Sequence, residues 1–118
     1  MSGTLVINSR DAWMPASWVF NHVLELVVAE IRNSGRLDLA DAIVKVLRPN
    51  LEYLDLSVWP AEDIRLLRAS LEGTHRVSQA AGGAGFQSKE FYEGYLARVA
   101  DLKALLDLDP RLSRESPI

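Results

Sequence analysis

Residues Tyr53-Leu54-Asp55-Leu56-Ser57-Val58-Trp59-Pro60-Ala61-Glu62-Asp63 decide the fold class. Leu54, Leu56 and Val58 alternate with Tyr53, Asp55, Ser57 and Trp59, the period of a strand with one covered face. Pro60 then stands where a first helical residue belongs. Glu62 and Asp63 follow in the first turn, where the helix dipole favours carboxylates. A strand that runs straight into a helix points to an α+β chain.

Working back toward the start, Leu37 to Leu47 reads as a helix whose polar sector holds Asp38, Asp41, Lys45 and Arg48. Pro49 stops it, because proline lacks an amide donor. Before it, Pro15 opens a largely buried helix in which Val19, Phe20, Val23, Leu24, Leu26, Val27, Val28 and Ile31 spread over a wide apolar arc. Gly35 closes that helix. Thr4 to Asn8 is short, β-branched and followed by turn formers, as a buried strand would be. Toward the end, Ile64, Leu66, Leu67, Leu71 and Val77 make one helical face, and Ala80 to Gly85 breaks it. Ser88 caps a last helix carrying Tyr92, Tyr95, Val99, Leu102 and Leu106.

The order is therefore β-α-α-β-α-α, a predominantly helical α+β fold with four helices packed on a two-stranded sheet. The alternative is an all-α four-helix bundle with two extended pieces, since two strands make a marginal sheet unless helices cover them. Residues 1–109 form the expected single domain, and 110–118 (PRLSRESPI) reads as a flexible tail. Trp13-Met14-Pro15-Ala16 echoes Trp59-Pro60-Ala61, a weak sign of an internal repeat.

The 118 residues include no cysteine, 13 basic and 16 acidic side chains, for a net charge of −3. Without cysteine there is no disulfide scaffold, thiolate metal site or thiol nucleophile. The acidic balance argues against nucleic acid and anionic membrane as partners, no run reaches the roughly 18 apolar residues of a membrane span, and the chain is expected in the cytoplasm. The Gly82-Gly83-Ala84-Gly85 run follows a helix and lacks a P-loop ending, so it reads as a connection rather than a phosphate cradle. A helix-turn-helix drawn through Gly35 would present Asp38 and Asp41 to phosphates, which like charge opposes.

The strands are expected to pair in parallel, bringing the turns beyond them to one rim, where ligands sit in open α/β sheets. Trp13 and Trp59 would flank that rim with Arg10, Asp11, Glu62 and Asp63 nearby. The plainer reading makes both indoles lids over the core. Glu30 and Arg98 each interrupt an apolar face, so they are candidates for a structural ion pair. Otherwise each lays its stem along the apolar edge with its charge in water. His22, Glu25 and His75 lack the spacing of a metal site. No metal, catalytic or cofactor-binding residues are assigned.

In its acidity and size the chain resembles small bacterial domains that neutralise toxins. The run from Tyr53 to Asp63 is similar to the strand-then-helix entry of some immunity-type proteins. It spans eleven residues and carries no residue roles across. What the resemblance implies is a non-enzymatic protein-binding module, with Asp38, Asp41, Asp55, Glu62 or Asp63 presented to a basic protein partner. Two other readings compete with it. One is a structural homo-oligomer, such as a homodimer, built on the open sheet or the seam of the last helix. The other is a small enzyme using Arg10, Asp11, His22, Glu62 and Asp63.

Overall fold

β1 (Thr4–Val6) is the centre of the sheet in a computed structural model that describes residues 3–47, 52–82 and 88–113. It runs parallel to β3 (Tyr53–Asp55), with Leu5 opposite Leu54, and antiparallel to β2 (Ala12–Trp13), with Leu5 opposite Trp13. The strand order is β2-β1-β3. The parallel pairing expected from the sequence is present, while the two-stranded sheet becomes three-stranded. β2 escapes a sequence reading because two residues show no alternation.

Among the described residues five helices accompany this sheet: α1 (Ser17–Asn33), α2 (Leu37–Leu47), α3 (Ala61–Ala81), α4 (Lys89–Asp107) and the short α5 (Pro110–Ser113). The apolar arc of α1 is buried as its spacing requires, from Val19 and Phe20 through Val27 to Ile31. Leu5, Leu54, Ile64, Leu71, Tyr95 and Leu102 complete one core with it. At roughly 2 kcal/mol for each fully buried aliphatic side chain, this apolar burial is the dominant favourable contribution. Gly3 is required at the start of β1, because a Cβ there would lie 2.3 Å from the ring of Phe20. Its amide donates to Pro15 O at 3.0 Å, tying β1 to the entry of α1. Ser88 caps α4 as expected, its Oγ accepting from Phe91 N at 3.2 Å. Pro49 and residues 83–87 of the glycine connection lie outside the described residues.

The boundary expected at residue 109 is corrected. Residues 110–112 belong to the folded body, and 114–118 lie outside the described residues. Arg111 spends all five guanidinium N–H groups on other parts of the chain. Nη1 donates to Leu56 O (2.7 Å) and Trp59 O (2.8 Å), Nη2 to Ile7 O (2.7 Å) and Asp109 Oδ2 (2.9 Å), and Nε to Asp109 Oδ1 (2.8 Å). Asp109 is itself buried and also accepts from Arg111 N and Asn8 Nδ2. Hydrogen bonding to Arg111 holds the Asp109 carboxyl far below the ordinary carboxylate range, against the opposing cost of burial.

Two outcomes follow from this node. Arg111→Ala should lose about 2–4 kcal/mol in a urea melt at neutral pH, because it strands the buried Asp109 carboxylate and unpairs strand-end carbonyls. Asp109 has a depressed folded pKa, so its contribution is complete above the unfolded value of about 3.9 and disappears as pH falls through that value toward the folded one. Melts from pH 7 to pH 3 should therefore show Asp109→Asn less stable at neutral pH and less sensitive to acid than the native chain.

Candidate functional site

The chain leaves β1 through Asn8, whose Oδ1 accepts from the amides of Arg10 and Asp11 at 2.9 Å and so turns the backbone back into β2. It leaves β3 through Asp55, whose Oδ1 accepts from Ser57 N at 2.8 Å, and a turn closed by Trp59 N to Leu56 O at 3.0 Å. Both strands end at one rim, as expected. Arg111 fills it, bonding to carbonyls that follow both strands, so the expected ligand position is taken by the chain's own C-terminal segment.

Trp13 is a correction. Because the chain doubles back as β2, Trp13 lies opposite Leu5 rather than beyond the rim, 3% exposed, with its Nε1 donating to Arg98 O on α4 at 2.9 Å. It is a lid over the core. Trp59 follows β3 on the other side of β1 and packs half-buried against the core. The two indoles therefore do not share one rim.

The expected Glu30–Arg98 pair is corrected too. Arg98 is an exposed side chain that meets Asp101 one turn along α4, Nη2 to Oδ2 at 3.4 Å. Glu30 lies instead against α3, where its carboxyl carbon would be 3.2 Å from a Cβ on Gly73. A glycine inside a helix costs about 1 kcal/mol relative to alanine. Here it makes room for a carboxylate, a signal present in the sequence and easily overlooked.

Arg36, in the turn between α1 and α2, reaches Asp38 with Nε (3.1 Å) and Nη2 (3.2 Å), and its Nη2 lies 3.0 Å from Asp63 Oδ1 at the start of α3. The Asp63 contact is a charge contact without hydrogen-bond alignment. The arginine gathers the N-terminal ends of α2 and α3 into one place, with Asp38 held below its ordinary pKa chiefly by the hydrogen bond from Arg36. Asp41 and Glu62 are exposed on the same two helices, and Asp55 is exposed at the end of β3. Asp55 is held low by hydrogen bonds from Ser57. Asp63 is the exception, with its side chain only 14% exposed. Arg36 contacts Asp38 and Asp63, while Asp41 and Glu62 add exposed carboxylates on the same two helices. Nothing local marks Arg36 as the bridge, since its partners lie 2 and 27 positions away.

Arg10, Asp11, His22, Glu62 and Asp63 do not assemble as one set. His22 sits edge-on to Tyr95 with ring centroids 5.1 Å apart, and Asp63 belongs to the Arg36 contact. His75 lies on α3 beside Lys103, Nδ1 to Nζ at 3.3 Å, within a set of charges that joins α3 to α4. There Lys103 meets Glu72 at 2.9 Å, and Arg68 meets Glu72 at 3.2 Å and Asp107 at 2.6 Å. Burial, reinforced by Lys103, lowers the His75 pKa. Among the described residues, no three His, Asp or Glu side chains are placed to hold a metal ion. Among the same residues, no helix is long and apolar enough to cross a membrane.

No protein-family model and no curated protein sequence matches the chain. The fold does have a counterpart. It is similar to a chain in the solved structure of a CdiA-CT toxin from Burkholderia pseudomallei in complex with its cognate CdiI immunity protein, with a TM-score of 0.69. The match covers 93% of this chain and 98% of that chain at 16% identity, which is a likeness of fold.

Single-tryptophan variants test the placement of the indoles. Iodide should quench Trp18, which is 42% exposed, and leave Trp13 nearly untouched. Ready quenching of Trp13 would return it to the surface.

Proposed function

We propose that this chain is a non-enzymatic protein-binding module of the immunity type, which neutralises a basic toxin in the cytoplasm by holding it against the acidic face at the starts of α2 and α3. The observation that carries this reading is the nearly end-to-end likeness of fold to a chain of a toxin–immunity complex. Charge supports the immunity side of such a pair. The net charge is −3, and Asp38, Asp41, Asp55 and Glu62 stand exposed. Acidic faces steer basic partners and speed their encounter, and they discriminate against acidic ones. Carboxylates spaced along a helix also imitate the phosphates on which a cationic enzyme acts.

The anchors of such a face are the side chains not engaged inside the fold. Asp63 is largely covered and tied to Arg36, so its removal would disturb the junction of α2 and α3 as well as any partner. Asp41 and Glu62 carry charge without that structural role. Arg36 keeps Asp38 and Asp63 close together, which reduces the reorganisation needed when a cationic surface arrives.

The test is to look for a basic toxin domain encoded near this chain and to co-express the two. Growth should be restored, and the purified pair should bind with an association rate that falls steeply with salt. The double variant Asp41→Lys, Glu62→Lys should slow association by roughly 10-fold while the chain remains folded. Growth arrest by this chain expressed alone would put it on the toxin side of the pair. Binding indifferent to both salt and charge reversal would remove the acidic face.

A further inference from the structure

We propose that the notch between Trp18 and Phe91 is a recognition site for a cationic side chain, an arginine guanidinium above all, presented by a protein partner. The two rings belong to the first turns of α1 and α4 and are 42% and 47% exposed. Such rings are costly to leave in water on a small soluble domain, and large aromatic side chains are the commonest anchors of protein interfaces. Their centroids are 5.9 Å apart with planes at 63°, so they form two walls of an angle rather than a closed stack. The opening is about 270 Å³, and among the described residues Glu90 and Gly94 also line it. Gly94 borders open space, since a Cβ at that position would meet nothing within 4 Å.

The chemistry of the lining selects the occupant. Aromatic faces carry negative quadrupole charge and attract a cation within about 6 Å of the ring. Glu90 adds a full negative charge at the edge and makes no ion pair among the described residues, whereas its neighbour Lys89 is paired with Glu93 at 3.7 Å. A cationic occupant would gain from that exposed carboxylate, which an apolar one would not. A planar guanidinium can lie against one ring and still hydrogen-bond the carboxylate in its own plane, which an ammonium does less well.

The walls are also held in place. Trp18 stacks on the buried Tyr95, centroids 6.3 Å apart and planes at 24°. Tyr95 is fixed in turn by its hydroxyl contact with Ser78 Oγ at 3.0 Å and by the edge of His22. Tyr92 OH donates to Ser78 O at 3.2 Å, and the Ser88 cap fixes the backbone at Phe91. A site whose rings need no ordering loses less free energy when it is filled.

This inference rests on the proposed function only for the partner's basic character. The notch lies at the far end of α1 from Arg36, about 25 Å away at 1.5 Å per residue, so it is separate from the acidic face. The probe is Nα-acetyl-arginine N-methylamide, compared with its neutral citrulline counterpart, titrated into the full chain labelled with ¹⁵N. The arginine compound should shift the Trp18 indole N–H and the Gly94 amide, saturating in the millimolar range, with the citrulline compound at least roughly 3-fold weaker. Glu90→Gln, at an exposed position, and Phe91→Leu should each weaken the arginine response by a similar factor. Equal response to both compounds, indifference to Glu90→Gln, or equal movement of the Trp59 indole would overturn the site. None of these results would bear on the growth assay, so the two readings fail independently.

Discussion

Three hydrogen bonds from one guanidinium hold the strand ends of this fold together, and two more seat it on Asp109. Every N–H that Arg111 can offer is used, and the carbonyls it reaches follow two different strands. Such carbonyls ordinarily face water or a ligand. The buried Asp109 carboxylate balances the charge and orients the fork, and Asn8 orients Asp109 in turn. Polar networks of this kind stabilise a structure only when every member is satisfied. The same arrangement explains why a rim that in other open sheets would receive a ligand is here part of the protein's own packing.

Much of the architecture was legible in the residues. The alternation around Leu54 and Leu56, the proline at the head of α3 and the wide apolar arc of α1 each follow from local periodicity, and the structure realises them. What could not be read depends on contacts between distant segments. Arg111 lies in a stretch with the composition of a loose tail, and nothing local distinguishes it from a solvated arginine. Trp13 was legible as an aromatic beside a strand, but its direction was set by a two-residue strand too short to detect. Arg98 followed the rule that arginine carries its charge out to water along an apolar stem.

The acidic face was legible as composition and became a place only through Arg36. Without that bridge, the carboxylates of α2 and α3 would be separate features of two helices. The aromatic notch was not legible at all. Trp18 and Phe91 are 73 positions apart, and Phe91 fits the apolar pattern of its own helix. The chain therefore has a different chemistry at each end of α1, carboxylates around an arginine at one and aromatic walls with a single carboxylate at the other.

The sequence separation of the Arg111 contacts bears on how the chain reaches this state. Ile7 and Arg111 are 104 positions apart, and Asn8 and Asp109 are 101. Closing loops of that length has an entropic cost that must be met before the contacts give anything back. α1 and α2 are sequence neighbours and can dock early, whereas the rim waits until Arg111 has been synthesised. Until then the carbonyls after β1 and β3 are unpaired, which makes the nascent protein most open to mispairing at the place where the finished one is most tightly closed.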